Sequence, residues 1–264
     1  MLDMDIMSPI DAAKYVAAVK ACEHVQDGMK VGLGTGSTAA WMVRHLAERA
    51  KVEDLSLRCV PTSTRTADLA RELGLTVTTL EDCQWLDVTI DGADEFDGDL
   101  NLIKGGGGAL LQEKIVATAS DKLIIIADAA KKVEVLGKFP LPVEVIRFGW
   151  QTTKALVEEV LVSMDVLGQT SRLRMDAGKP FVTDEGNYII DLQLERIGNA
   201  RQLALTLNQV PGVVENGLFV DICDIVIVGH GDGACETFDM TQGLLGEDQI
   251  ELGESTNLFK DLMD

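Results

Sequence analysis

Apolar residues recur along this chain in two periods, and the periods alternate. Ala39, Met42, Val43, Leu46 and Ala50 fall on one face of a helix running to about Lys51. Ala67, Leu69 and Leu73 do the same for Thr62–Gly74, and Ala109–Ala119 reads as a further helix. Ser8-Pro9-Ile10-Asp11 is a helix start, with a capping Ser, Pro at the first helical position and an acid in the first turn, and that helix runs to about Val25. Between the helices lie short strands at Lys30–Leu33, Leu55–Val60, Thr76–Leu80 and Asp87–Ile90. Lys122–Ala127 is a continuous apolar run, as expected of a strand covered on both faces. Such alternation predicts an α/β fold with a doubly wound, mostly parallel, Rossmann-like sheet.

The pattern changes near Gly137, where Phe139-Pro140-Leu141-Pro142 punctuates the chain. Strands are expected at Val143–Arg147, Ser171–Met175, Phe181–Thr183 and Tyr188–Leu192, with helices at Gln151–Val166 and Asn199–Gln209. This reads as a smaller inserted α+β domain, ferredoxin-like, over 138–209, while 1–137 and 210–235 form the α/β catalytic domain. Gly217–Val220 and Asp224–Val228 are further strands, the second rejoining the first sheet. Residues 236–264 read as an acidic C-terminal tail, with one short helix at Leu258–Met263.

Composition narrows the function. Forty-three acids against 23 Lys and Arg leave a formal net charge of −20, which disfavours nucleic-acid and anionic-membrane partners. No run is long and apolar enough to span a bilayer. Cys22, Cys59, Cys83, Cys223 and Cys235 form no CxxC pair and are odd in number, which suits a reduced, cytoplasmic setting and implies no zinc site.

Two stretches carry candidate chemistry. Gly34-Thr35-Gly36-Ser37-Thr38 joins a strand to a helix, the layout that cradles phosphate on backbone amides. It is no dinucleotide fingerprint, because Ser37 stands at the third glycine, and no P-loop, because the lysine is missing. A single-phosphate loop and a tight turn capped by Ser37 fit it equally. The second stretch, Asp91–Glu113, begins where a strand stops and holds Asp91, Gly92, Ala93, Asp94, then Lys104 and four glycines from Gly105, Gly106 and Gly107 to Gly108. Glycines allow several N–H groups to converge on one anion, and Lys104 beside them suits an oxyanion. A calcium loop beginning at Asp97 fails at Leu102 and Gly108, and Asp97 and Asp99 read as turn residues. Asp91 and Asp94 flank a strand end and can share a cleft. Glu113, Lys14 and Lys131 have ordinary surface readings from spacing alone.

Together with Gln112-Glu113-Lys114, Ala127-Asp128-Ala129-Ala130-Lys131, Leu136–Val145 and Val210-Pro211-Gly212-Val213-Val214, these motifs resemble the type A ribose-5-phosphate isomerase family over roughly Ala12 to Gly229. The resemblance implies interconversion of D-ribose 5-phosphate and D-ribulose 5-phosphate through an enediolate, in the pentose phosphate pathway, with no metal and no cofactor. It implies Glu113 as the base moving a proton between C2 and C1, with Asp91, Asp94 and Lys104 handling ring opening and the enediolate. Lys14, Gly34, Thr35, Gly36, Ser37, Thr38, Gly92, Ala93, Gly105, Gly106, Gly107 and Lys131 would hold substrate, chiefly its phosphate. It further implies a homodimer or homotetramer. The rival readings are a non-catalytic phosphosugar-sensing domain, disfavoured by the presence of both Glu113 and Lys104, and an isomerase of a related sugar phosphate.

Overall fold

The computed structural model describes residues 7–252. In chain order the first half contains α1 (Pro9–Cys22), β1 (Lys30–Leu33), α2 (Ser37–Val52), β2 (Arg58–Pro61), α3 (Thr64–Glu72), the single-turn α4 (Leu80–Cys83), β3 (Val88–Gly92), β4 (Glu95–Phe96), β5 (Leu102–Ile103), α5 (Leu110–Thr118) and β6 (Leu123–Asp128). The second half contains β7 (Leu141–Val145), α6 (Trp150–Leu161), β8 (Thr170–Leu173), β9 (Met175–Asp176), β10 (Lys179–Pro180), β11 (Tyr188–Gln193), α7 (Ala200–Leu207), β12 (Val213–Asn216), β13 (Leu218–Phe219), β14 (Ile225–Gly229), β15 (Ala234–Asp239) and β16 (Gly243–Gln249).

The main sheet has the order β16-β15-β14-β6-β3-β1-β2. Its five strands from β14 to β2 run parallel, and β15 and β16 are antiparallel additions. The apolar run of β6 is buried throughout its hydrophobic length because it has two cores to fill. Ile124 and Ile126 face α1 and α2, while Ile125 and Ala127 face Phe96, Ala117 and Phe219 on the other side. The order reverses between β1 and β3, so a crevice opens at their carboxyl ends. Glycine at 229 lets α1 lie directly on β14, since a Cβ there would strike the Ala13 carbonyl. That approach carries Lys14 to the crevice.

The inserted unit is a β-α-β-β-α-β arrangement of β7, α6, β8, β11, α7 and β12, with strand order β12-β7-β11-β8 and antiparallel pairing throughout. Its core, centred on Val143, Val157, Ile190 and Leu203, is separate from those of the main sheet. The fourth strand of this small sheet lies at Val213–Asn216, beyond the expected boundary at 209.

Three local expectations are corrected. Thr76–Leu80 forms no named strand; only Val77 bridges Cys59, and Leu80 opens α4 with Thr79 as its cap. Phe181–Thr183 is not a strand, because β9 and β10 make a tight hairpin just before it. Of the segment expected to be an acidic tail, most of the described part is sheet: β15 and β16 pair along their length and extend the main sheet past β14. Cys235 is fully buried in the core over α1, and Phe238 packs against the core on the other face, so an outwardly polar segment is anchored on both sides of the sheet. The expected helix at 258–263 lies outside the described residues. All five cysteines are free and buried.

Every residue of β14 is buried. Ending the chain after Gly231 would strip away β15 and leave that apolar strand as an open edge. The truncated protein is expected to show a lower urea midpoint than the full chain and to aggregate, as measured by circular dichroism and light scattering.

Candidate active site

Asp91 leaves the end of β3 directly beneath the loop that follows β1. Its Oδ1 accepts the N–H groups of Thr35 (3.0 Å) and Gly92 (2.7 Å), and its Oδ2 lies 2.9 Å from Lys104 Nζ. Gly34 is glycine because a Cβ there would overlap the Asp91 carboxylate. Lys104 is itself buried, 2% exposed, and its ammonium also donates to Gly92 O at 2.5 Å and stands 3.3 Å from Glu113 Oε1. Glu113 reaches this point from the first turn of α5 and is buried as well. Its second oxygen, Oε2, is buried with no hydrogen-bond partner. One ammonium therefore sits between two buried carboxylates.

Burial raises the Glu113 carboxyl to about 8; the Lys104 ammonium opposes that rise, while Asp91 and Asp94 add to it. Burial also pushes Asp91 upward, against the pull of Lys104 and of the two N–H groups that Asp91 accepts. Lys104 is desolvated too, but the attraction of Asp91 and Glu113 wins and raises its pKa, so it stays an ammonium.

These groups open onto a cleft of about 660 Å³. Of the expected site residues, Glu113, Asp94, Lys104, Lys14, Thr35, Gly36, Ser37, Thr38, Gly92, Ala93, Gly105, Gly106, Gly107 and Lys131 all line it. Asp91 and Gly34 do not: both are buried behind the wall, where Asp91 holds Lys104 and Gly34 makes room for Asp91. Asp94 is fixed through Oδ2, which accepts the Gly106 N–H at 2.7 Å.

Thr35 is also placed differently from expectation. Its hydroxyl lies 2.8 Å from those of Thr62 and Ser63 and 3.1 Å from that of Thr66, in a buried cluster that ties the loop to β2 and α3. Ser37 is the first residue of α2 rather than its cap; the cap is Gly36, at φ 121°, and no side chain satisfies the helix end. The leading N–H groups of a four-turn helix are thereby left for an anion, which favours the phosphate reading of this loop over the capped turn.

Spacing alone missed Glu95, Lys132 and Lys138. Buried Glu95 accepts the N–H groups of Gly137 (2.8 Å) and Phe139 (2.5 Å), and so fixes the segment carrying Lys138 into the cleft. The Gly137-Lys138-Phe139 run is visible as a motif, but nothing in it marks a lysine that lines the same cleft as Lys14. Five lysines (14, 104, 131, 132 and 138) line one cleft of an otherwise strongly acidic protein. Among the described residues, no group of three or more His, Cys, Asp or Glu is placed to hold a metal ion. Asp97 is a turn residue, its Oδ1 accepting the N–H groups of Asp99 and Asn101.

Residues 58–233 match the model of the family described as ribose 5-phosphate isomerase A, or phosphoriboisomerase A. The chain belongs to this family. It is 69% identical over 258 residues to the ribose-5-phosphate isomerase A of Ruegeria pomeroyi, covering 98% of each chain. The enzyme of that name from Dinoroseobacter shibae is 66% identical over 97% of this chain and 98% of its own. Among solved structures, the ribose 5-phosphate isomerase of Plasmodium falciparum superposes with a TM-score of 0.82 at 37% identity, covering 87% of this chain and 98% of that one. A D-ribose-5-phosphate isomerase in complex with phospho-erythronic acid gives 0.79 at 38% identity, covering 92% and 100%. The family relationship thus extends beyond the matched motifs to the whole sheet and to the C-terminal hairpin.

Because Glu113 binds its proton more tightly folded than unfolded, the stability it contributes is full below its unfolded value near 4.3 and is lost as pH rises through about 8. Replacing it with Gln (Glu113→Gln) should flatten the fall in unfolding free energy across that window, as measured by denaturant titration at a series of pH values.

Proposed function

We propose that this protein interconverts D-ribose 5-phosphate and D-ribulose 5-phosphate by a proton transfer through an enediolate, with Glu113 as the base. The observation that carries the reading is the buried Glu113–Lys104–Asp91 group opening on a lysine-lined cleft. A proton beside a carbonyl becomes removable only if the oxygen that gains charge is stabilised as it does so. Lys104 supplies a desolvated ammonium for that purpose, and the glycine loop supplies N–H groups beside it.

In the forward direction Glu113 removes the C2 proton of the open-chain aldose. The C1 carbonyl oxygen takes up the charge against Lys104. The O2 hydroxyl gives up its proton as C2 becomes the carbonyl carbon, O1 gains one, and Glu113 returns its proton to C1. No atom is gained or lost. Asp94 takes the anomeric hydroxyl proton during ring opening in this reading, which its position in the cleft lining, held by the Gly106 N–H, supports. Asp91 acts through Lys104 and touches no substrate in this reading. The phosphate is gripped at the far end by the open amides of α2, by Ser37 and Thr38, and by Lys14, Lys131 and Lys138. Anchoring that end contributes orientation at the reacting carbons. A base raised toward neutral pH is also well matched to its task.

A phosphosugar sensor has no need of a desolvated base beside a buried ammonium, so the rival class is disfavoured. Five free thiols support a cytoplasmic setting, and we assign a homodimer or homotetramer on the family relationship alone.

Purified protein with ribose 5-phosphate should form ribulose 5-phosphate in the presence of excess EDTA. Glu113→Gln should lose on the order of 10²- to 10⁴-fold in kcat while still binding substrate; near-normal turnover would remove the base assignment. In the native enzyme kcat/KM should rise with pH through about 8, since the free enzyme's base must be ionised, and that limb should vanish in Glu113→Gln.

A further inference from the structure

We infer that Arg174, in the inserted domain, is a positioning residue for this isomerisation, holding the glycine loop in the one orientation that presents its N–H groups and Asp94 to the substrate. The inference rests on the isomerase reading of the cleft.

Arg174 lies between β8 and β9, 69 residues along the chain from the loop it touches. Its Nη1 donates to the carbonyl of Gly105 at 2.8 Å and to that of Gly106 at 3.1 Å. The other edge of the guanidinium is locked on Asp191 of β11, through Nε (3.0 Å) and Nη2 (2.5 Å). A planar fork with five donors can serve a carboxylate and two carbonyls at once, which a lysine cannot. Phe181, 5.8 Å from the guanidinium, closes the other end of the loop, where its ring fills the space a side chain at Gly108 would need.

The peptide between Gly105 and Gly106 is gripped from both edges. Its carbonyl accepts from Arg174 and its N–H donates to Asp94. In a trans peptide these groups point in opposite directions, so Arg174 and Asp94 clamp one plane from either side. By the same geometry, holding the Gly106 carbonyl directs the Gly107 N–H away from Arg174. Glycines are free to rotate as no other residues are, and Gly105 already sits at φ 100°. A loop of this kind has no orientation of its own. An oxyanion is stabilised best by donors already fixed before charge develops, and the fixing here comes from the neighbouring domain.

The test compares Arg174→Met, Arg174→Lys and the exposed control Arg172→Met with wild type, measuring kcat, KM for ribose 5-phosphate and thermal midpoint. Arg174→Met should lower kcat by up to about 100-fold with KM little changed, because the phosphate grip lies at the other end of the cleft. Arg174→Lys should recover part of the loss, and Arg172→Met should match wild type. Should Arg174→Met fail to fold, Asp191→Asn, which loosens the guanidinium without removing it, should show the same fall in kcat. Unchanged kcat in the folded variants, or a loss explained wholly by a smaller folded fraction, overturns the inference. Wild-type protein inactive on ribose 5-phosphate would instead overturn the isomerase reading itself.

Discussion

The structure depends on one buried ammonium. Lys104 lies between Asp91 and Glu113 with almost no exposure, and three separate elements meet because of it: the end of β3, the strand β5 that delivers the lysine, and the first turn of α5. Desolvating three charges is costly, and removing one partner of such a group typically costs about 3–5 kcal/mol because an uncompensated charge is left behind. The surroundings are built to meet that cost. Two backbone N–H groups turn to Asp91, a carbonyl turns to Lys104, and Gly34 gives up its side chain so that the carboxylate fits. Glu113 keeps a second buried oxygen, Oε2, that no hydrogen bond satisfies, and burial raises its pKa.

Around that centre, the two domains divide the work. The parallel sheet supplies the buried charged group and the uncapped start of α2. Side chains of the inserted unit meet the main one at three places. Arg174 holds the glycine carbonyls, Gln112 of α5 meets Glu185, and the N–H of Thr64, at the start of α3, donates to Asp184 Oδ2 at 2.7 Å. The segment near 181–187 is itself tied down by buried Glu144, whose Oε1 accepts from Thr183 and Asn187. Glycine-rich loops are suited to holding anions because they are pliable, and they serve well only when something else makes them rigid.

Charge follows the same division between local and global. A chain of net −20 repels anions at a distance, but screening removes most of that field beyond about 10 Å at ordinary ionic strength. Within the cleft, five lysines determine what an anion meets. Three of them, Lys131, Lys132 and Lys138, come from the stretch after β6 that leads into the inserted domain, where buried Glu95 fixes the turn.

The alternation of strand and helix and the stretches holding the candidate chemistry are legible along the chain, because they rest on local periods and on contiguous motifs. Lys104, Asp94 and Glu113 fall within twenty residues of one another, so their neighbourhood was legible. Long-range folding set the rest: Asp91 holds Lys104 from behind the wall, the Thr35 hydroxyl belongs to a buried cluster, and β15 and β16 extend the sheet. It also decided that Arg174 reaches across from another domain. Burial and long-range pairing are properties of which surfaces meet, and a residue's own neighbours in the chain carry no record of what lies across the fold.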